Sequence, residues 1–195
     1  SGFEVALPAG TLPVRALHGT AHDDLWAVGD EARVAHVTST GIVTESLSVT
    51  SQNLHGVFAF SSDEVWAVGD VGTVVRRSAG VWSAVATGVA TRLTRVSGTG
   101  ANNVWAAGDT QVLHYDGAWT VYDLWFEVRA LWVSPEGDVW IGGDGVLARQ
   151  VGGVFVPVPV YDQDYNGNVG FNALWGASAS DVWVLATNGE LFHWD

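Results

Sequence analysis

The chain of 195 residues contains no cysteine, and its eight basic residues are all arginine. Without cysteine there are no disulfides, no thiolate chemistry and no cysteine-ligated zinc. That absence leaves the compartment open, because a bacterial secreted protein can fold without disulfides. Long hydrophobic runs are missing too. None approaches the roughly 18 residues of a membrane span, which argues against membrane insertion. The N-terminus carries no signal-peptide pattern and begins Ser1-Gly2 without methionine, which reads as a processed or excised end. Positive charge is sparse: the net charge is −13, and the arginines are scattered at 15, 33, 76, 77, 92, 95, 129 and 149. An acidic surface with no basic stripe repels phosphate backbones and anionic lipids, so no nucleic-acid partner is expected. A sustained 3.6-residue apolar period is also lacking, which leaves no helix of useful length. What remains is 48% hydrophobic and only 15% charged, the composition of a globular domain with a substantial core.

One phrase recurs five times: "DDLWAVGD" (23–30), "DEVWAVGD" (63–70), "NNVWAAGD" (102–109), "GDVWIGGD" (137–144) and "SDVWVLAT" (180–187). Its tryptophans are Trp26, Trp66, Trp105, Trp140 and Trp183, and nine residues before each stands Leu17, Val57, Val96, Leu131 or Leu174. Each repeat reads as four short strands rich in Val, Trp, Thr and Tyr, bounded by Gly, Asp, Asn and Ser. One four-stranded sheet per roughly 40 residues predicts a propeller blade. The tryptophan spacings are 40, 39, 35 and 43, and wrapping from Trp183 past Asp195 to Trp26 gives 38. Across that join, "FHWD" followed by "SGFEVALPAG" matches "LHYDGAWTVYD". The expectation is an all-β, five-bladed β-propeller with four-stranded antiparallel blades. Its ring is closed by the N-terminal strand, around residues 3–7, completing the last blade. The blades are expected at about 14–52, 53–92, 93–127, 128–170 and 171–195 plus 1–13, forming one domain.

On these residues the chain resembles bacterial β-propellers built from "DVWAVG…G…H…DG…W" repeats. "SPEGDVWIGGDGVLARQVGG" is also similar to blades of tachylectin-2-type five-bladed lectins and of bacterial sensor propellers. "HYDGAW" is similar to the Asp-box hairpin of sialidase-like propellers, without that motif's full spacing. The tachylectin likeness implies binding of N-acetylated sugars between blades.

The repeated Asp30, Asp70, Asp109 and Asp144 follow glycine at strand-to-strand turns, where aspartate caps backbone N–H groups. His36, His114 and His193 fall at one place on the third strand and read as buried and hydrogen-bonded. His18, His22, Asp23 and Asp24 cluster in one blade alone; they could ligate zinc, but their spacing reads better as a polar turn. The stretch "YDQDYNGNVG" (161–170) sets Asp162, Asp164 and Asn166 at alternating positions before Gly167, the pattern of a calcium loop. The positions that would close such a loop are Gly170 and Ala173, so calcium is the one cofactor the sequence offers, held weakly or not at all. The motif uses five tryptophans, and Trp82 and Trp119 recur on outer strands. Trp125, Trp132, Trp175 and Trp194 are left over. Trp132 and Trp175 share one repeat position in adjacent blades, and Tyr161 and Tyr165 lie in the connection between those blades. These four rings are the expected ligand-binding residues, because aromatic faces stack on sugars and anchor protein contacts. Packing between blades is the competing account of the two tryptophans.

No nucleophile elbow, zinc-protease motif or phosphate loop is present. The polar positions of the inner strands are Arg15, His55, Thr94, Arg129 and Asn172, none of them acidic. A propeller glycosidase needs carboxylates converging there. The sequence therefore points to a non-catalytic, monomeric binding module for a glycan or small polar ligand, in a bacterial protein that is extracellular, at the cell surface or periplasmic. A protein-interaction scaffold is the alternative, and a hydrolase or lyase comes third.

Overall fold

The computed structural model describes residues 13–160 and 169–195. They divide into two compact units, Ser1–Ala90 and Thr91–Asp195. The first holds two sheets: β1 (Val14–Ala21), β2 (Asp24–Gly29), β3 (Arg33–Thr38) and β4 (Gly41–Ser46), then β5 (Leu54–Ser61), β6 (Glu64–Gly69), β7 (Val74–Ser78) and β8 (Val81–Ala84). The second holds three: β9 (Arg95–Gly100) to β12 (Trp119–Asp123) through β10 (Asn103–Gly108) and β11 (Gln111–Tyr115); β13 (Val128–Val133), β14 (Val139–Gly143), β15 (Val146–Val151) and β16 (Val154–Pro157); and β17 (Phe171–Ser178), β18 (Asp181–Ala186) and β19 (Leu191–Trp194). Within each sheet, sequence neighbours pair antiparallel, so every sheet is a meander of short hairpins. The chain is all-β with five antiparallel sheets, four of four strands and one of three among the described residues. The expected closing strand at 3–7 lies outside the described residues.

The recurring phrase has a steric basis. Its tryptophan sits on the second strand opposite a first-strand residue: His18, Phe58, Ser97, Trp132 or Trp175. Its glycine then passes against the start of the first strand. A Cβ at Gly29, Gly69, Gly108 or Gly143 would overlap the carbonyl oxygen of Pro13, Asn53, Arg92 or Glu127. The fifth repeat carries Ala186 there and pairs it with Phe171.

Trp66 and Trp140 are fully buried, and Trp26 and Trp105 nearly so. Burying an indole withdraws about 150–250 Å² from water, worth about 4–6 kcal/mol by area. Consecutive sheets within a unit interlock through these rings. Trp26 meets Trp82 of β8 edge-on at 5.7 Å, Trp105 meets Phe155 of β16 at 6.1 Å, and Trp140 meets Trp194 of β19 at 5.4 Å. Trp194, left over by the repeat pattern, is thus a packing residue. The fifth motif tryptophan departs from the rule. Along β18, Val182, Val184 and Ala186 are buried, while Trp183 (37% exposed) and Leu185 face outward.

Candidate binding site

In every repeat the motif tryptophan is stacked on a hydrogen-bonded pair of side chains. The residue two before each motif tryptophan is Asp24, Glu64, Asn103, Asp138 or Asp181, and the third strand answers with His or Arg. The Nε2 atoms of His36, His114 and His193 lie 2.8 Å from Asp24, Asn103 and Asp181, and each imidazole stacks on its tryptophan at 3.8–4.1 Å between centroids. In the other two sheets arginine takes the place of histidine. Arg76 forks onto Glu64 at 2.7 and 2.9 Å, Arg149 pairs with Asp138, and their guanidiniums lie over Trp66 and Trp140 at 5.3 and 5.6 Å. The histidines are hydrogen-bonded, as their repetition implied, but only His36 and His114 are part-buried and His193 is exposed. The exchange of histidine for arginine was legible in the aligned repeats, but conserving the chemistry across it requires seeing the stack.

Charge differs among these units in one respect. His114 has the neutral Asn103 as partner, and burial pushes its pKa below the ordinary value. His18 is also pushed down by burial, and its Nδ1 accepts the Ala59 N–H at 3.1 Å, which demands the neutral ring. Burial alone would raise Asp24, but hydrogen bonds from Thr20 and His36 outweigh it and hold the carboxyl below its usual range. His22 is exposed in the turn, and His18 stacks on Phe58 at 4.1 Å. The cluster at 18–24 is thus dispersed into separate structural roles. Among the described residues no three histidine, aspartate or glutamate side chains gather as metal ligands.

At the end of the sheets where the first strands begin, the repeated aspartates meet first-strand side chains. Asp30 pairs with Arg15, whose hydrogen bonds hold the Asp30 carboxyl below its usual range. Asp70 accepts from Asn53 at 3.0 Å and lies 2.7 Å from His55 Nε2, and Asp144 lies 2.9 Å from Arg129. Asp109 accepts the backbone N–H of Arg92, just ahead of β9, at 3.1 Å and lies 3.8 Å from the Arg92 guanidinium. All four aspartates thus take side-chain partners, because a donor-bearing side chain stands on or just before the facing strand.

In the second unit this end opens into a cleft of about 280 Å³ lined by Arg92, Thr94, Arg95, Glu127, Arg129 and Asn172. These residues lead into or begin β9, β13 and β17, so three consecutive sheets supply the walls. Thr94, Arg129 and Asn172 are among the polar first-strand positions of the repeat. Arg92, Arg95 and Glu127 lie outside that pattern, and only the folded chain shows them converging.

Of the expected ligand-binding rings, Trp132 is half-buried over Gly176 and packs on the cluster of Trp140, Phe171 and Val182. Trp175 is 63% exposed. Tyr161, Tyr165 and the calcium-loop residues Asp162, Asp164 and Asn166 lie outside the described residues. Trp125 is 76% exposed beside a groove of about 390 Å³ walled by Tyr122, Phe126, Phe155 and Pro157.

No protein-family model and no curated protein matches this chain. Solved structures do. The extracellular domain of BT4673 from B. thetaiotaomicron matches over 97% of the chain at 12% identity and a TM-score of 0.74, the chain spanning 27% of that protein's length. YCF48 from Cyanidioschyzon merolae matches over 96% at 12% identity and 0.72, with 68% of its length spanned. YCF48 bound to D1 peptide matches over 97% at 12% identity and 0.59, with 80% spanned. At this identity the likeness is one of fold: a repeat-built, β-propeller-like, all-β architecture.

Proposed function

We propose that the chain is a non-catalytic binding module that takes a glycan or other small polar ligand at the end of its sheets where the first strands begin. The observation that carries this reading is the cleft at Arg92–Arg95, Glu127–Arg129 and Asn172. Guanidinium, hydroxyl and amide groups converge there on open space, and such donors orient a polar ligand. Its one carboxylate, Glu127, has no second beside it in the lining, whereas glycoside hydrolysis uses a pair. A protein partner is the second reading. The exposed rings of Trp125 and Trp175 favour it, as does the fold shared with a protein solved in complex with a peptide. The fold shared with an extracellular domain supports placement outside the cytoplasm.

The same proposal makes the five sheets the blades of a five-bladed propeller, with residues 3–7 as the fourth strand beside β19. That sheet has three strands among the described residues where the others have four, and it leaves Trp175, Trp183 and Leu185 exposed on one face. A panel of glycans followed by melting temperature, with and without millimolar calcium, tests the binding reading. Ligand-dependent stabilisation supports it, and stabilisation that needs calcium and is lost in an Asp162→Ala, Asp164→Ala variant assigns the loop at 161–170 a part. A peptide library that stabilises where no glycan does moves the protein-partner reading to first place.

A further inference from the structure

The arginines of this acidic chain are accounted for with one exception. Arg15, Arg33, Arg76, Arg77, Arg92, Arg129 and Arg149 each lie within ion-pair distance of a carboxylate. Arg95 has none among the described residues; its Nη1 donates to the Thr94 carbonyl at 3.0 Å. It opens β9 and lines the cleft with Arg92 and Arg129, so three of the chain's eight cations stand on one cavity of about 280 Å³. Arg92 and Arg129 are already balanced by Asp109 and Asp144, leaving Arg95 as the uncompensated cation. Its guanidinium is accessible yet crowded by protein, and that partial desolvation lowers its pKa. A crowded, unpaired guanidinium gains more from an anion than a fully hydrated one does.

We infer that this cleft binds a carboxylate, held by Arg95 with help from Arg129, Thr94 and Asn172. The inference rests on the binding-module reading and names the ligand's chemistry. The planar guanidinium fork matches two carboxylate oxygens in one plane. Glu127 in the lining disfavours a dianion such as phosphate. It instead accepts a hydrogen bond from a group next to the carboxylate, such as an α-hydroxyl, an α-ammonium or a peptide N–H. A small hydroxy or amino acid carries this pair of groups, and so does the C-terminal residue of a peptide.

Calorimetric titration of the full chain with four probes separates these sources, with the Arg95 Nε–H resonance as a local reporter. The probes are L-lactate, tetra-alanine with a free C-terminus, the same peptide C-terminally amidated, and inorganic phosphate. The expected result is saturable one-to-one binding of at least one free acid, a shift of the Arg95 resonance, and weakening as salt rises. Binding of lactate shows that a free acid suffices, and binding of the free-acid peptide alone shows that a chain end is required. Arg95→Gln should weaken that binding by about tenfold or more, since it removes the charged donor. Arg33→Gln, outside the cleft lining, should leave it within about twofold, and unchanged melting of both variants establishes that the fold is intact. Equal binding of amidated and free-acid peptides overturns the inference, as does phosphate binding more tightly than either acid or no saturable response to any probe. None of these failures touches the binding-module reading, which the glycan and peptide panels judge separately.

Discussion

The tryptophans divide by what they touch. Trp105 is buried, stacks on His114, and meets Phe155 of the next sheet edge-on. Trp105→Ala should therefore cost about 3–5 kcal/mol in denaturant unfolding. Trp125 is largely exposed and meets the Phe126 ring edge-on, so Trp125→Ala should cost well under half as much. Equal losses would contradict the division. Histidine supplies a second residue-level test. His18 and His114 have pKa values lowered by burial, so the unfolded chain binds their protons first. Stability therefore falls as pH drops below about 6.5, the unperturbed histidine value, until the folded-state values are passed. Asn103→Asp places a carboxylate against His114, as Asp24 and Asp181 stand against His36 and His193. An NMR titration should find the His114 pKa raised, and the acid loss of stability should shrink while the introduced carboxylate stays ionised. An unmoved His114 titration would refute the role assigned to this pair.

At the scale of the element, the strands were legible because the repeat states their pattern five times, and in four repeats the Gly-Asp ending fixes where the second strand stops. Its glycine is a close approach of two chains. Gly108→Ala should push β10 away from the Arg92 carbonyl and cost about 1–3 kcal/mol, measured by chemical unfolding. A neutral substitution would show that the hairpin relaxes freely. The site was less legible for a physical reason. The repeat pattern marks positions that all blades share, so it placed Thr94, Arg129 and Asn172 on the inner strands without assigning them a ligand. A ligand is recognised by what one region has and the others lack. Arg95 and Glu127 acquire meaning from three first strands starting side by side, a long-range fact that spacing does not encode. The counting of spare rings erred in the same way for Trp194, because the aromatic partner that Trp82 supplies from a fourth strand comes there from a third. Trp132 does pack between sheets, the role weighed against its assignment as a ligand contact.

For the whole molecule, the five-phrase sequence carries over into five antiparallel sheets, and closure is the step that the sequence proposes beyond them. If residues 3–7 complete the sheet of β17, β18 and β19, deleting residues 1–12 strips a paired edge and leaves Leu191–Trp194 open to other chains. The truncated chain should lose soluble monomer or oligomerise in size-exclusion chromatography, and a monomer melting like the parent would refute closure by this strand. A net charge of −13 disfavours polyanions electrostatically, and against it the cleft gathers three of the chain's eight arginines. The central claim is that binding, without turnover, occurs where the first strands begin. The direct measurement is amide NMR of the labelled chain with the tightest ligand from the glycan, acid and peptide panels, recorded at once and again after prolonged incubation. The account predicts perturbations concentrated at Thr94, Arg95, Arg129 and Asn172 with the ligand recovered unaltered. Perturbations confined to the Trp125 groove, or a ligand converted to product, would contradict it.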